Sequence, residues 1–134
     1  MAIGLDKVFG VNEAALKLRA QRTDILASNL ANADTPNYKA RDIDFQVAMK
    51  KVTDASSAGT LKTTHKGHIS SASFGGIDGD VKFRIPTQPA LDGNSVETHV
   101  EQAAFAKNAM EYQATLRFFE GKSGGIVKAI TGAS

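Results

Sequence analysis

Cysteine and tryptophan are absent from the 134 residues, and proline occurs only three times. Without cysteine no disulfide or thiolate-bound metal can form, and neither an oxidising nor a reducing compartment is excluded. No apolar run reaches the ~20 residues that a bilayer-spanning helix needs. An excess of one charge is also missing: 16 Lys and Arg stand against 14 Asp and Glu, for a formal net charge of +2. That balance lacks the basic stripe of a nucleic-acid-binding surface. Residues 1–10 already hold Asp6 and show no basic-then-apolar leader, so any export is expected to rely on an uncleaved signal. Only His65 and His68 lie close together among the histidines. No cysteine or helical His-x-x-x-His spacing completes a zinc set, so they read as loop histidines. No catalytic, cofactor-binding or metal-binding residue is expected, and the length suits one domain.

What is present is concentrated at the two ends. Residues 4–33 read as one helix carrying two adjacent stripes at alternating three and four spacing. One stripe runs through Leu5, Phe9, Leu16, Leu26 and Leu30, the other through Val8, Val11, Ala15, Leu18 and Ile25. Asn12, Arg19, Arg22 and Thr23 interrupt the face. Polar residues in a seam fix register at a cost in stability. The other reading places them at a solvated edge with the arginine heads reaching water.

The helix is expected to stop at Leu26-Ala27-Ser28-Asn29-Leu30-Ala31-Asn32-Ala33-Asp34-Thr35-Pro36-Asn37-Tyr38-Lys39. Thr35 precedes a proline and is pushed out of helical space. Pro36 and Asn37 suit the central positions of a tight turn, because proline fixes φ and asparagine tolerates the left-handed region. Asn29 and Asn32 are poor interior helix residues and read as contacts or caps near the helix end.

A turn and short helix follow over 34–52, with Asp42 or Asp44 as its cap and Lys50 and Lys51 in its last turn. Residues 53–91 read as a flexible loop containing one short strand, Val81-Lys82-Phe83-Arg84-Ile85, which alternates strictly and ends at Pro86. The last helix spans 95–130, with Asn94 or Ser95 as cap and Glu97 completing a capping box. Its seams are Phe105, Ala109, Tyr112, Leu116 and Phe119, and Val96, Val100, Ala103, Met110 and Ala114. The fold expected is mainly α: long N- and C-terminal helices packed as an antiparallel coiled-coil-like pair, with a short loop and β middle region. Two helices cannot bury so broad a face alone, so the chain is expected to be loosely folded until its neighbours order it. Identical copies meeting through a heterologous contact would form an open helical assembly.

The stretch 26–39 resembles the N-terminal signature of the flagellar rod and hook family of axial proteins. Ala40-Arg41-Asp42-Ile43-Asp44-Phe45, Asp92-Gly93-Asn94-Ser95-Val96-Glu97 and the segment 108–118 extend the likeness in order along nearly the whole chain. Asn37 departs from the glycine common there, although asparagine is the next best residue for positive φ. The resemblance implies a structural subunit of the proximal rod that polymerises through its terminal helices into part of a drive shaft. It implies passage through the flagellar type III export apparatus, assembly in the periplasm, and contacts with other rod subunits, the rod-base adaptor protein, the membrane ring and the export gate. It offers no cofactor, no small-molecule substrate and no catalytic residue.

Three groups are the expected assembly residues. Asn29, Asn32, Thr35, Pro36, Asn37 and Tyr38 hold the first helix end and its turn. Leu16, Leu26 and Leu30 supply packing from the first helix. Phe105, Tyr112, Gln113, Leu116 and Phe119 supply it from the last. Packing inside one subunit is the alternative role for the apolar members. Two other readings remain open: another axial subunit of the same family, or a small helical adaptor binding a partner helix or membrane surface. The first helix mixes Asp6, Lys7, Glu13, Lys17, Arg19, Arg22 and Asp24 with no purely basic face, which argues against the membrane.

Overall fold

The structure is a computed structural model that describes residues 5–57, 80–88 and 90–132. The element order is α1 (Leu5–Ala31), β1 (Arg41–Ile43), α2 (Phe45–Ser57), β2 (Val81–Phe83) and α3 (Thr98–Thr131). His65, His68 and most of the expected loop lie outside the described residues. No helix among the described residues is long and apolar enough to cross a membrane.

The chain is mainly helical, and its two long helices pack together. Phe9 meets Phe119 with ring centroids 5.1 Å apart. Further along, Arg19 pairs with Glu111 and Asn29 reaches Glu101. Contacts that rise along α1 while falling along α3 make the pair antiparallel. On another side of α1, Leu18, Ile43 and Ala48 form a small buried cluster, with Ile25, Phe45 and Met49 packed against it. The Arg19 guanidinium carbon lies 4.1 Å from the centre of the Phe45 ring, a cation–π contact that closes this cluster toward α3.

Local chemistry explains the element ends. Past Ala31 the helix tightens: the Asn32 amide is shared between the carbonyls of Ser28 and Asn29, and Ala33 bonds to Leu30. The Tyr38 amide then bonds to the Thr35 carbonyl at 3.3 Å, with Asn37 at φ 61°. Proline followed by a residue at positive φ is the type II turn that the dipeptide suggests. Asp44 caps α2, accepting from the Val47 amide at 3.2 Å. Asp42 has a different role, described below.

Several boundaries differ from the sequence expectation. α2 continues past residue 52 to Ser57, with the Thr53 hydroxyl lying within bonding distance of the Met49 and Lys50 carbonyls. Lys50 and Lys51 therefore do not occupy its last turn, and Lys51 instead pairs with Asp80. β2 pairs antiparallel with β1, Arg41 opposite Phe83 and Ile43 opposite Val81. It stops short of Ile85 because its partner runs out. The Arg84 amide still bonds the Ala40 carbonyl at 2.9 Å, but the Ala40 amide is taken by Ser95 Oγ at 2.7 Å. α3 starts at Thr98 rather than 95, with Glu97 in the capping position and no side-chain cap bond. The expected capping box is thus absent, since Asn94 and Ser95 spend their side chains elsewhere and Glu97 bonds Thr87. Gly121, Gly124 and Gly125 stay inside α3, which ends at Gly132 in the left-handed conformation. Arg117 and Lys122 are therefore interior, and Lys128 is the basic residue of the last turn.

Candidate functional site

The turn after α1 and the segment before α3 form one unit. Asn94 is buried, and its Nδ2 lies 3.1, 2.6 and 3.0 Å from the carbonyl oxygens of Asn32, Ala33 and Thr35. A side-chain amide from sixty residues downstream thus gathers the carbonyls that the end of α1 leaves over. Its own Oδ1 accepts from the Val96 amide at 2.8 Å, which holds the amide in that orientation. Backbone pairing adds to this: the Asn37 amide bonds the Asp92 carbonyl, and the Ser95 amide bonds the Tyr38 carbonyl, both at 3.0 Å. Gly93 has φ 72°, and a Cβ there would stand 2.6 Å from Asn37 Oδ1. Two left-handed residues, Asn37 and Gly93, therefore face each other at contact distance. Only a residue without a side chain fits the second position.

Asn29 joins this unit to β1. It is fully buried. Its Oδ1 accepts from the Arg41 amide at 3.1 Å while its Nδ2 donates to the Arg41 carbonyl at 2.7 Å. This is the exchange a neighbouring strand would make, so one side-chain amide closes the open edge of β1. The Tyr38 hydroxyl also reaches Asn29 Oδ1 at 3.4 Å, and lies 3.3 Å from Ser28 Oγ.

From Asn29 a polar network runs across the α1–α3 seam. Asn29 Nδ2 donates to Glu101 Oε2 at 3.1 Å, and Arg84 Nη1 donates to Glu101 Oε1 at 2.7 Å. Arg84 also holds Asp42, and Arg22 grips the same carboxylate with Nε and Nη2 at 2.8 and 2.9 Å. The Glu101 side chain is 1% exposed. Two guanidinium groups and two carboxylates thus balance within a largely buried space, the condition under which buried charge is tolerated. Burial pushes the Asp42 carboxyl up, but hydrogen bonds from Arg22 and Arg84 outweigh it and hold the group below the usual aspartate value. The Arg22 guanidinium is raised, chiefly by its bond to Asp42. Two turns along α3, buried Asn108 donates to the Arg19 carbonyl and to Thr23 Oγ1, both at 2.9 Å. Arg19 and Arg22 are therefore seam residues, not the solvated edge that was one reading of the sequence. Asp42 is the hub of an ion-pair network and not a helix cap.

Among the residues singled out from sequence, Asn29 and Leu26 are buried, and Asn32, Tyr38, Leu16 and Leu30 are half-buried. Thr35, Pro36 and Asn37 are exposed on the turn. Tyr112 and Phe119 lie half-buried against α1, whereas Phe105, Gln113 and Leu116 are exposed. Sequence reasoning missed Asp42, Arg84, Asn94, Glu101 and Asn108 as seam and turn residues. The one available signal was the heptad spacing of Glu101 and Asn108, two polar groups aligned on one face of α3. Among the described residues no group of three or more His, Asp or Glu could hold a metal ion.

Known sequences resemble this chain over nearly its whole length. A family profile described as "Flagella basal body rod protein" matches residues 11–39. The chain is 41% identical over 133 residues to the flagellar basal body rod protein FlgB of Aeromonas hydrophila, covering 98% of both chains. It is 42% identical over 130 residues to the protein of that name from Escherichia coli strain K12, covering 94% of both. Against the protein of that name from Cereibacter sphaeroides it is 43% identical over 129 residues, covering 96% of this chain and 98% of the relative.

Proposed function

Because the chain belongs to the family of flagellar basal body rod proteins, we propose that it is a structural subunit of the proximal rod, polymerising through α1 and α3 into part of the drive shaft. The observation that carries this reading is the apolar surface left along α3. Val100, Phe105, Met110, Leu116, Phe118, Val127 and Ile130 are all exposed on a helix whose principal partner is α1. A single subunit leaves this surface in water, and repeated neighbours would remove it.

In this reading the turn residues Asn29, Asn32, Thr35, Pro36, Asn37 and Tyr38 keep the end of α1 in one shape for the next subunit. Leu16 and Leu30 on α1, with Phe105, Tyr112, Gln113, Leu116 and Phe119 on α3, form the contact faces, and Leu26 supports them from inside. The subunit leaves the cytoplasm through the flagellar type III apparatus without losing a leader and assembles in the periplasm. Its neighbours are other rod subunits, the rod-base adaptor, the membrane ring and the export gate. The role is one of shape and contact, with no reaction assigned to any residue.

The test is a density map of basal bodies from a strain carrying this chain as its sole copy, set beside a strain with Leu30→Asp. The expected result is a proximal rod containing the α1–α3 pair, lost together with swimming in the variant. A complete rod in a strain lacking the chain would end the proposal.

A further inference from the structure

A shallow apolar groove of about 340 Å³ lies between α1 and α3, lined by Ala20, Thr23, Asp24, Ala109, Tyr112 and Gln113. Its lining combines small residues with an aromatic ring and an exposed carboxylate. No ion pair joins Asp24 to a base among the described residues. On the far side of α3 stands Phe118, 75% exposed. It is nine residues from Ala109, roughly two and a half turns at ~3.6 residues per turn, so the two point in opposite directions. Met110, 66% exposed, and the exposed Lys107 and Ala114 lie on the same outer side, and the exposed Arg117 flanks it, about 100° round the helix from Phe118.

Resting on the rod reading, we infer that the groove of one subunit receives the Phe118 face of α3 from a second copy, with Arg117 of that copy set against Asp24. Three features select this occupant. The groove is apolar with an acidic rim, and the outer face of α3 is apolar with Arg117 flanking the phenyl ring, so polarity and charge are complementary. An aromatic anchor entering a small-walled pocket is the usual centre of an interface. The half-turn separation prevents a subunit from filling its own groove. It also makes the contact heterologous, so each added copy presents a fresh Phe118 and a fresh groove.

The chain has no cysteine, so introduced thiols report proximity without background. Ala20→Cys and Ala114→Cys together place one thiol in the groove, on α1, and one a turn from Phe118, on the outer side of α3. In basal bodies isolated from a strain carrying this double variant, oxidation is expected to give a ladder of covalent multimers. Asp24→Lys or Arg117→Glu added singly should reduce the ladder severalfold, and both together should restore it. Normal incorporation into basal bodies without a ladder, or failure of the paired reversal to restore it, would overturn the contact while leaving the rod role intact. Absence of the unsubstituted chain from basal bodies would overturn both.

Discussion

Replacing Glu101 by alanine removes the carboxylate on which the seam network ends. Glu101 accepts from Arg84 at 2.7 Å and from Asn29 at 3.1 Å, with its side chain 1% exposed. After truncation, Arg84 keeps Asp42, but Asp42 is already held by both nitrogens of Arg22. The space would then contain two guanidinium groups and one carboxylate. Breaking one partner of a buried pair costs about 3–5 kcal/mol, because a charge is left without its complement. The buried apolar cluster here is small, so that loss consumes much of the stability of a subunit of this size. Urea unfolding followed by far-ultraviolet circular dichroism measures it, at a protein concentration where the unsubstituted chain is helical. With a urea slope of about 2 kcal/mol/M the midpoint should fall by roughly 2 M. Glu101→Gln keeps an acceptor for only one of the two donors, which bond different carboxylate oxygens, and should lose less than alanine. Glu101→Leu with Arg84→Met removes the charges together and should recover most of the loss, since an apolar replacement of a buried pair is often neutral. A midpoint for Glu101→Ala within ~0.3 M of the parent, a difference below ~1 kcal/mol at that slope, would mean that Glu101 is solvated and the network reasoning is wrong.

Asp42 gives a pH prediction. Its carboxyl is held below the ordinary value of 3.8, so its contribution to stability is present above that value and lost as pH falls through its folded value. Asp42→Asn should therefore be clearly less stable than the parent at pH 7, and the difference should shrink below about pH 4; a difference unchanged at pH 2.5 would contradict this. At the turn, Gly93→Ala should destabilise strongly, because it combines a φ of 72° with a Cβ 2.6 Å from Asn37 Oδ1. Asn37→Gly removes that oxygen and should recover part of the Gly93→Ala loss in a double-mutant cycle, whereas strict additivity of the two would show that the atoms do not meet. Asn94→Ala removes the shared donor to three carbonyls and should cost about 2 kcal/mol. Thermal unfolding tests it, and an unchanged midpoint would remove Asn94 from the turn's support. Diluting the purified chain should lower its helix content, and assembly should raise it; a dilute subunit that is fully helical and unfolds cooperatively would count against dependence on neighbours.

The parts visible in the sequence are those decided by neighbours in the chain. Thr35, Pro36 and Asn37 specify a type II turn by their own backbone preferences, and the turn is there. The alternation of Val81, Lys82 and Phe83 produces a strand, although its length is set by β1, which sequence pattern does not locate. The misread parts are polar side chains with two possible customers. Asn94 carries the signature of a helix cap, and locally nothing distinguishes capping its own helix from serving carbonyls at residues 32–35. The remote carbonyls win because Ser95 and the backbone from 92 to 95 are docked on the same turn. Arg19 and Arg22 have the long apolar stems of edge residues, and their acids lie at positions 42 and 111. Only the antiparallel pairing of α1 with α3, and the return of the chain through β1, brings these partners into reach.

That dependence bears on how a rod subunit can stay adaptable and still pack its long helices in a single way. Leucines slide past one another with little penalty, so an all-apolar pair of long helices has several near-equal registers. Here Asn29 is satisfied only with Arg41 and Glu101 both in place, and the Asn108 Nδ2 only against Arg19 and Thr23. A shift of one turn along α3 would leave these groups buried without partners, each costing about 1–3 kcal/mol. The polar seam therefore adds little to net stability, since its groups are well hydrated in an unfolded chain, but it penalises every wrong register. A subunit built this way discriminates between registers, and the apolar residues left outside the seam stay exposed along α3.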